Sequence, residues 1–83
     1  MSPFQKIVRS ELISARTQHG NQNSAHEAYA VILEEVEEFW AQCKLKREAR
    51  SKTMMLSELV QIAAMAQRAA EDLGLIDQET FLD

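Results

Sequence analysis

Residues 32–40 read ILEEVEEFW, four carboxylates in five positions framed by large apolar side chains. Tyr29, Ile32, Val36, Phe39 and Cys43, with Trp40 beside Phe39, recur at alternating steps of three and four, the spacing of a helix with one apolar stripe. Like charges three and four apart cost such a helix roughly 0.2–0.5 kcal/mol each. A chain that crowds negative charge beside its own core needs something to offset it.

Outward from this segment the chain divides into three helices. SAHE at 24–27 supplies a cap and a capping-box glutamate, so the helix around ILEEVEEFW is expected over 25–46. Before it, Ser2, Pro3 and Gln5 start a short helix over 3–18, with Phe4, Ile7, Val8, Leu12 and Ile13 as its stripe and Gly20 as its terminator. After a basic connection, Ser51 caps a third helix over 52–73, stopped by Gly74. Its seam is Met55, Leu59, Ile62, Ala66, Ala69 and Leu73, and the tail 75–83 is expected to dock on the body. The reading is an all-α single domain over 1–83, with two long antiparallel helices. One hairpin leaves apolar surface uncovered, so a homodimer completing a four-helix bundle is expected, with a homotetramer as the larger option.

Composition narrows the class. Of 83 residues 46% are apolar and 27% charged, with two glycines and one proline, which favours helices over turn-rich β folds. A net charge of −4 speaks against a nucleic-acid polymer as partner. The longest apolar run, Ala28–Leu33, has six residues, far short of the ~20 that span a bilayer. No signal-peptide pattern opens the chain, and one cysteine forms no internal disulfide, so a cytoplasmic protein is the expectation. No glycine-rich phosphate loop or nucleophile elbow is present.

At ~100° per residue, with Val36 centred on the apolar face, Glu35 lies about 100° away between Phe39 and Val31, and Glu38 about 60° from Glu35. Glu37 falls on the opposite, solvated flank. In the third helix, MMLSELVQIAAM at 54–65 puts Glu58 about 40° from Ile62, inside the stripe, and Gln61 at about 100°. Buried unpaired carboxylates cost several kcal/mol each, and a hard divalent cation relieves a cluster of them best. Oxygen ligands from E-x-x-E on one helix and E-x-x-Q on its neighbour suit Mg²⁺, with Mn²⁺ an alternative. Taken alone, EEVEE is more simply a solvated face; Glu58 within an apolar stripe is what that account leaves out.

LEEVEEF, with nineteen residues between Glu38 and the ELVQ that begins at Glu58, resembles the E-E-x-x-E … E-x-x-D signature of the MazG-like all-α nucleoside triphosphate pyrophosphohydrolases. The resemblance covers about 24–73 and implies cleavage of a (d)NTP or modified nucleotide to the monophosphate and pyrophosphate with Mg²⁺, by dimers or tetramers of helical hairpins. By position it implies Glu35, Glu38 and Glu58 as metal ligands, Glu34 as a further acidic member, and Glu35 or Glu38 as the base. Gln61 stands where the family carries aspartate, which lowers the ligand charge. The other reading is a non-catalytic helical interaction module, or a relative that lost activity at Gln61.

The remaining candidates each have a plain alternative. Lys44 and Arg47, with Lys46, Arg50 and Lys52, could grip outer phosphates or simply complement a helix C-terminus. Arg68 could reach a phosphate or pair with an acidic neighbour. His26 could touch a base or lie on the surface. Tyr29, Trp40 and the methionines at 54, 55 and 65 read as packing, and Cys43 as a small hydrophobe.

Overall fold

The computed structural model describes residues 1–76, and in them the order is α1 (Pro3–His19), α2 (Ala25–Cys43), a 3-10 turn (Arg47–Ala49) and α3 (Lys52–Asp72). The expected all-α fold of three helices is present, without a strand among the described residues. Of the expected docked tail, 77–83 lies outside the described residues, and Leu75 and Ile76 stand exposed.

The caps follow the sequence closely. Ser2 Oγ accepts from Gln5 N–H at 3.2 Å, and Gln5 Oε1 accepts from Ser2 N–H at 2.7 Å, a complete capping box. Ser24 accepts from Glu27 N–H at 3.1 Å, but Glu27 Oε2 returns its bond to Asn23 N–H rather than to Ser24. Ser51 caps α3 through Met54 N–H. Gly20 (φ 69°) and Gly74 (φ 66°) take the left-handed conformation that follows α1 and α3. The second helix ends at Cys43, short of the expected Lys46. Arg50 reaches back to the carbonyls of Cys43 and Leu45 at 2.8 and 3.1 Å, satisfying the helix end there and turning the chain.

The third helix is the centre of the fold: α1 and α2 both pack on α3, and their backbones do not meet each other. Gln42 bonds to Met54 and Ser51 at the turn, while Glu35 and Glu38 meet Glu58 further along, so α2 and α3 run antiparallel as expected. The core is thin: Val8, Leu12 and Ala15 from α1 close on Val60, Ala64 and Met65 of α3, with Val31 and Ile32 against them.

Several expected core positions lie elsewhere. Phe4, Ile7 and Ile13 are exposed, and Ala15 completes the buried stripe of α1 instead. Tyr29 (65%) and Trp40 (57%), read as packing residues, face outward, as do Val36 and Leu59 from the centre of the two seams. Because α1 takes one side of α3 and α2 another, the buried face of α3 rotates onto Val60, Ala64, Met65, Arg68 and Ala69. A radius of gyration of 14.4 Å, against the ~12 Å of a compact domain this long, accords with so much apolar surface left open.

An ion network fastens the ends of α1 and α3. Arg16 donates to Asp72 at 2.6 Å and Glu71 at 2.8 Å, and Asp72 also accepts from Gln22 N–H at 2.8 Å. Burial works to raise the Asp72 carboxyl, but the Gln22 and Arg16 bonds and the charges of Arg16 and Arg68 outweigh it and hold the group below its ordinary value.

Candidate metal centre

Glu35 and Glu38 occupy one edge of α2, a turn apart, and Glu58 meets them from α3; each offers a carboxylate oxygen, all within 4.8 Å of one another. Glu35 and Glu58 are half-buried and Glu38 is exposed. The Oε2 of Glu58 is buried, and among the described residues it has no donor other than a proton shared with Glu35 or Glu38. Burial, then the charge of Glu38 and the closeness of Glu58, push the Glu35 carboxyl up to about 7. Glu58 is raised too, by burial first and then by Glu38. Three carboxylates held so close, with two of them reluctant to ionise, form a site short of positive charge. Their donor set is all oxygen, which suits a hard divalent cation.

Of the remaining expected ligands, Glu34 is not among the converging carboxylates, and Gln61 would bring an amide oxygen. Glu34, exposed, and Gln61, half-buried, line a cavity of about 520 Å³ that Glu35 also borders. The cavity exists because α1 and α2 diverge over α3. Ala15, Val31 and Met65 form its apolar wall, and Glu11, Gln18, His19 and Glu27 reach it from the first helix and the start of the second. Sequence reasoning missed these four. Glu11, Ala15 and Gln18 do recur at steps of four and three beside the buried stripe of α1, but nothing local says that this flank looks toward α2.

Arg68 borders the cavity from the same side as Gln61, as its spacing implied, yet its charge is committed. It is 5% exposed, donates to Gly20 O at 2.7 Å, and its Nε lies 3.6 Å from Asp72. Lys44 and Arg47 are exposed at the α2–α3 turn, with Lys44 about 9 Å beyond Glu38 along the helix. His26 is exposed in the first turn of α2, beside Tyr29 and about 18 Å from Glu38 along the axis. The fold therefore brings Glu35, Glu38 and Glu58 together, sets Glu34, Gln61 and Arg68 around the neighbouring cavity, and leaves His26, Lys44 and Arg47 apart from both.

No family model matches the chain, and no curated protein or solved structure matches it significantly.

Proposed function

We propose that this chain is a Mg²⁺-dependent nucleoside triphosphate pyrophosphohydrolase of the MazG-like kind, active as a homodimer or homotetramer in the cytoplasm, with no nucleic-acid polymer or membrane as partner. The observation that carries the reading is the triad: Glu35, Glu38 and Glu58 converge from two helices, and Glu58 Oε2 is buried with no donor among the described residues except a proton shared within the triad itself. A solvated face does not bury that oxygen, and a shared proton serves only part of the cluster, whereas a cation serves all three carboxylates. Support also comes from the cavity of about 520 Å³ beside the triad, within the size range of small-molecule sites.

In this reading Glu35, Glu38 and Glu58 would hold Mg²⁺ (or Mn²⁺), with Glu34 and Gln61 as further oxygen donors of the site. Bound there, the ion offsets charge on the phosphates and supplies a water of lowered pKa. Glu35 or Glu38 would take the proton from the attacking water. Lys44 and Arg47, in the basic turn beyond Glu38, are the cations free to meet the outgoing pyrophosphate.

The exposed residues Tyr29, Leu33, Val36 and Trp40 recur at steps of four and three along α2, and Leu56 and Leu59 stand exposed on α3. Such a stripe supports an antiparallel hairpin pairing with its copy into a four-helix bundle. The same stripe favours the second reading, a non-catalytic dimerisation module, which Gln61 also permits. A panel of natural and modified triphosphates separates the two. The enzyme releases pyrophosphate from at least one of them, needs Mg²⁺, and loses activity on Glu58→Ala or Glu38→Ala. No turnover together with a melting temperature indifferent to Mg²⁺ decides for the module.

A further inference from the structure

We propose that the cavity between α1, α2 and α3 takes the base-and-sugar end of the substrate and selects bases carrying an exocyclic amino group. This rests on the nucleotide reading above. Four carboxylates, Glu11, Glu27, Glu34 and Glu35, border the cavity. Its one arginine, Arg68, donates to Gly20 O and has its charge paired with Asp72, while its buried Nε finds no hydrogen-bond acceptor among the described residues. A lining of that sign repels phosphate and welcomes N–H donors. Glu27 has part of its accepting capacity taken by Asn23 N–H, which leaves Glu11 and Glu34 the freer acceptors.

The rest of the lining fits a flat ring. Ala15, Val31 and Met65 offer an apolar wall with a polarizable sulfur, and Gln18 and Gln61 can each donate and accept. Orientation follows from the order of residues along α2. Glu27, Val31 and Glu34 line the cavity, Glu35 and Glu38 belong to the triad, and Lys44 and Arg47 lie beyond it. A nucleotide laid along α2 therefore places its base toward the N-terminal half, its α-phosphate at the triad, and its outer phosphates toward the basic turn. Glu11 and Gln18 become specificity residues.

The test uses the full chain, without divalent ions, titrated with cytidine and with its 4-deamino analogue, the pyrimidin-2-one ribonucleoside, which has neither the amino group nor a ring N–H. Backbone amide shifts report both affinity and location. The expected result is shifts centred on Ala15, Gln18 and Val31, with cytidine bound about tenfold or more tightly than the 4-deamino analogue, as a hydrogen bond to a charged acceptor implies. Gln18→Trp, at an exposed position whose folding the melting temperature checks, should block binding, and Glu11→Leu combined with Glu34→Leu should erase the preference. Equal affinity for the two nucleosides, shifts elsewhere, or displacement of cytidine by metal-free pyrophosphate overturns the proposal. Neither nucleoside carries phosphate and no metal is added, so failure here leaves pyrophosphate release from triphosphates standing. Equally, an absence of turnover leaves selective cytidine binding standing.

Discussion

Replacing Glu35 by Gln removes the charge this fold accommodates least well. Burial and the neighbouring acids raise the Glu35 carboxyl to about 7, while in the unfolded chain it ionises near about 4.3. Below the lower value both states carry the proton and the substitution changes little. Between the two values the folded protein keeps a proton that the unfolded chain has lost, so stability falls as pH rises, and the loss is complete above about 7. The full difference corresponds to about 4 kcal/mol; Glu35 is only half-buried, and solvent screening brings the expected loss to about 1–2 kcal/mol. Urea unfolding of wild type and Glu35→Gln at fixed protein concentration, from about pH 4 to about pH 9, measures it. The wild-type curve should fall across this window. The variant should be flatter, keeping only the part due to Glu58, and should be the more stable protein above neutrality without metal. Mg²⁺ at about ten times its Kd should then stabilise the wild type by about 1.4 kcal/mol and the variant by less. Parallel curves for the two proteins would refute the reasoning, because they would mean that Glu35 titrates as an ordinary solvated glutamate.

Other substitutions probe the remaining parts. Glu58→Leu should abolish the Mg²⁺-induced rise in melting temperature while leaving the metal-free protein as stable or more so, since it removes a buried oxygen with no donor outside the triad among the described residues. Asp72→Asn should cost about 3 kcal/mol by stripping Arg16 and Arg68 of their shared acid. The Asp72 carboxyl is held low, so its contribution is present above about 3.9 and fades as pH falls through the lower folded value; denaturation curves of wild type and variant should converge in strong acid. Leu12→Ala, at 7% exposure in the thin core, should cost about 2–4 kcal/mol in chemical denaturation. Val36→Glu, on the open face of α2, should halve the mass seen by sedimentation if the stripe is a dimer seam, and leave the helical circular dichroism in place.

Much of this molecule is written locally. Ser2, Ser24 and Ser51 start the helices, Gly20 and Gly74 end two of them, and the three-and-four spacing of apolar residues marks each as amphipathic. The angular positions of Glu35, Glu38 and Glu58 are equally local, because a helix fixes the direction of every side chain relative to its neighbours. That is why the meeting of Glu35, Glu38 and Glu58, within 4.8 Å of one another, was legible in the sequence. The end of α2 was misjudged because Arg50, seven residues past Cys43, satisfies the helix there, a bond that propensity does not register.

What the sequence by itself determined is the set of helices and the edge on which each acid stands, since capping and periodicity depend only on residues within a few positions. Which stripe is covered, and by what, was decided by tertiary structure. Apolar residues at one spacing fit any partner helix equally well, and only the placement of α1 and α2 on separate sides of α3 buries Ala15 and Arg68, exposes Tyr29 and Trp40, and opens the cavity between them.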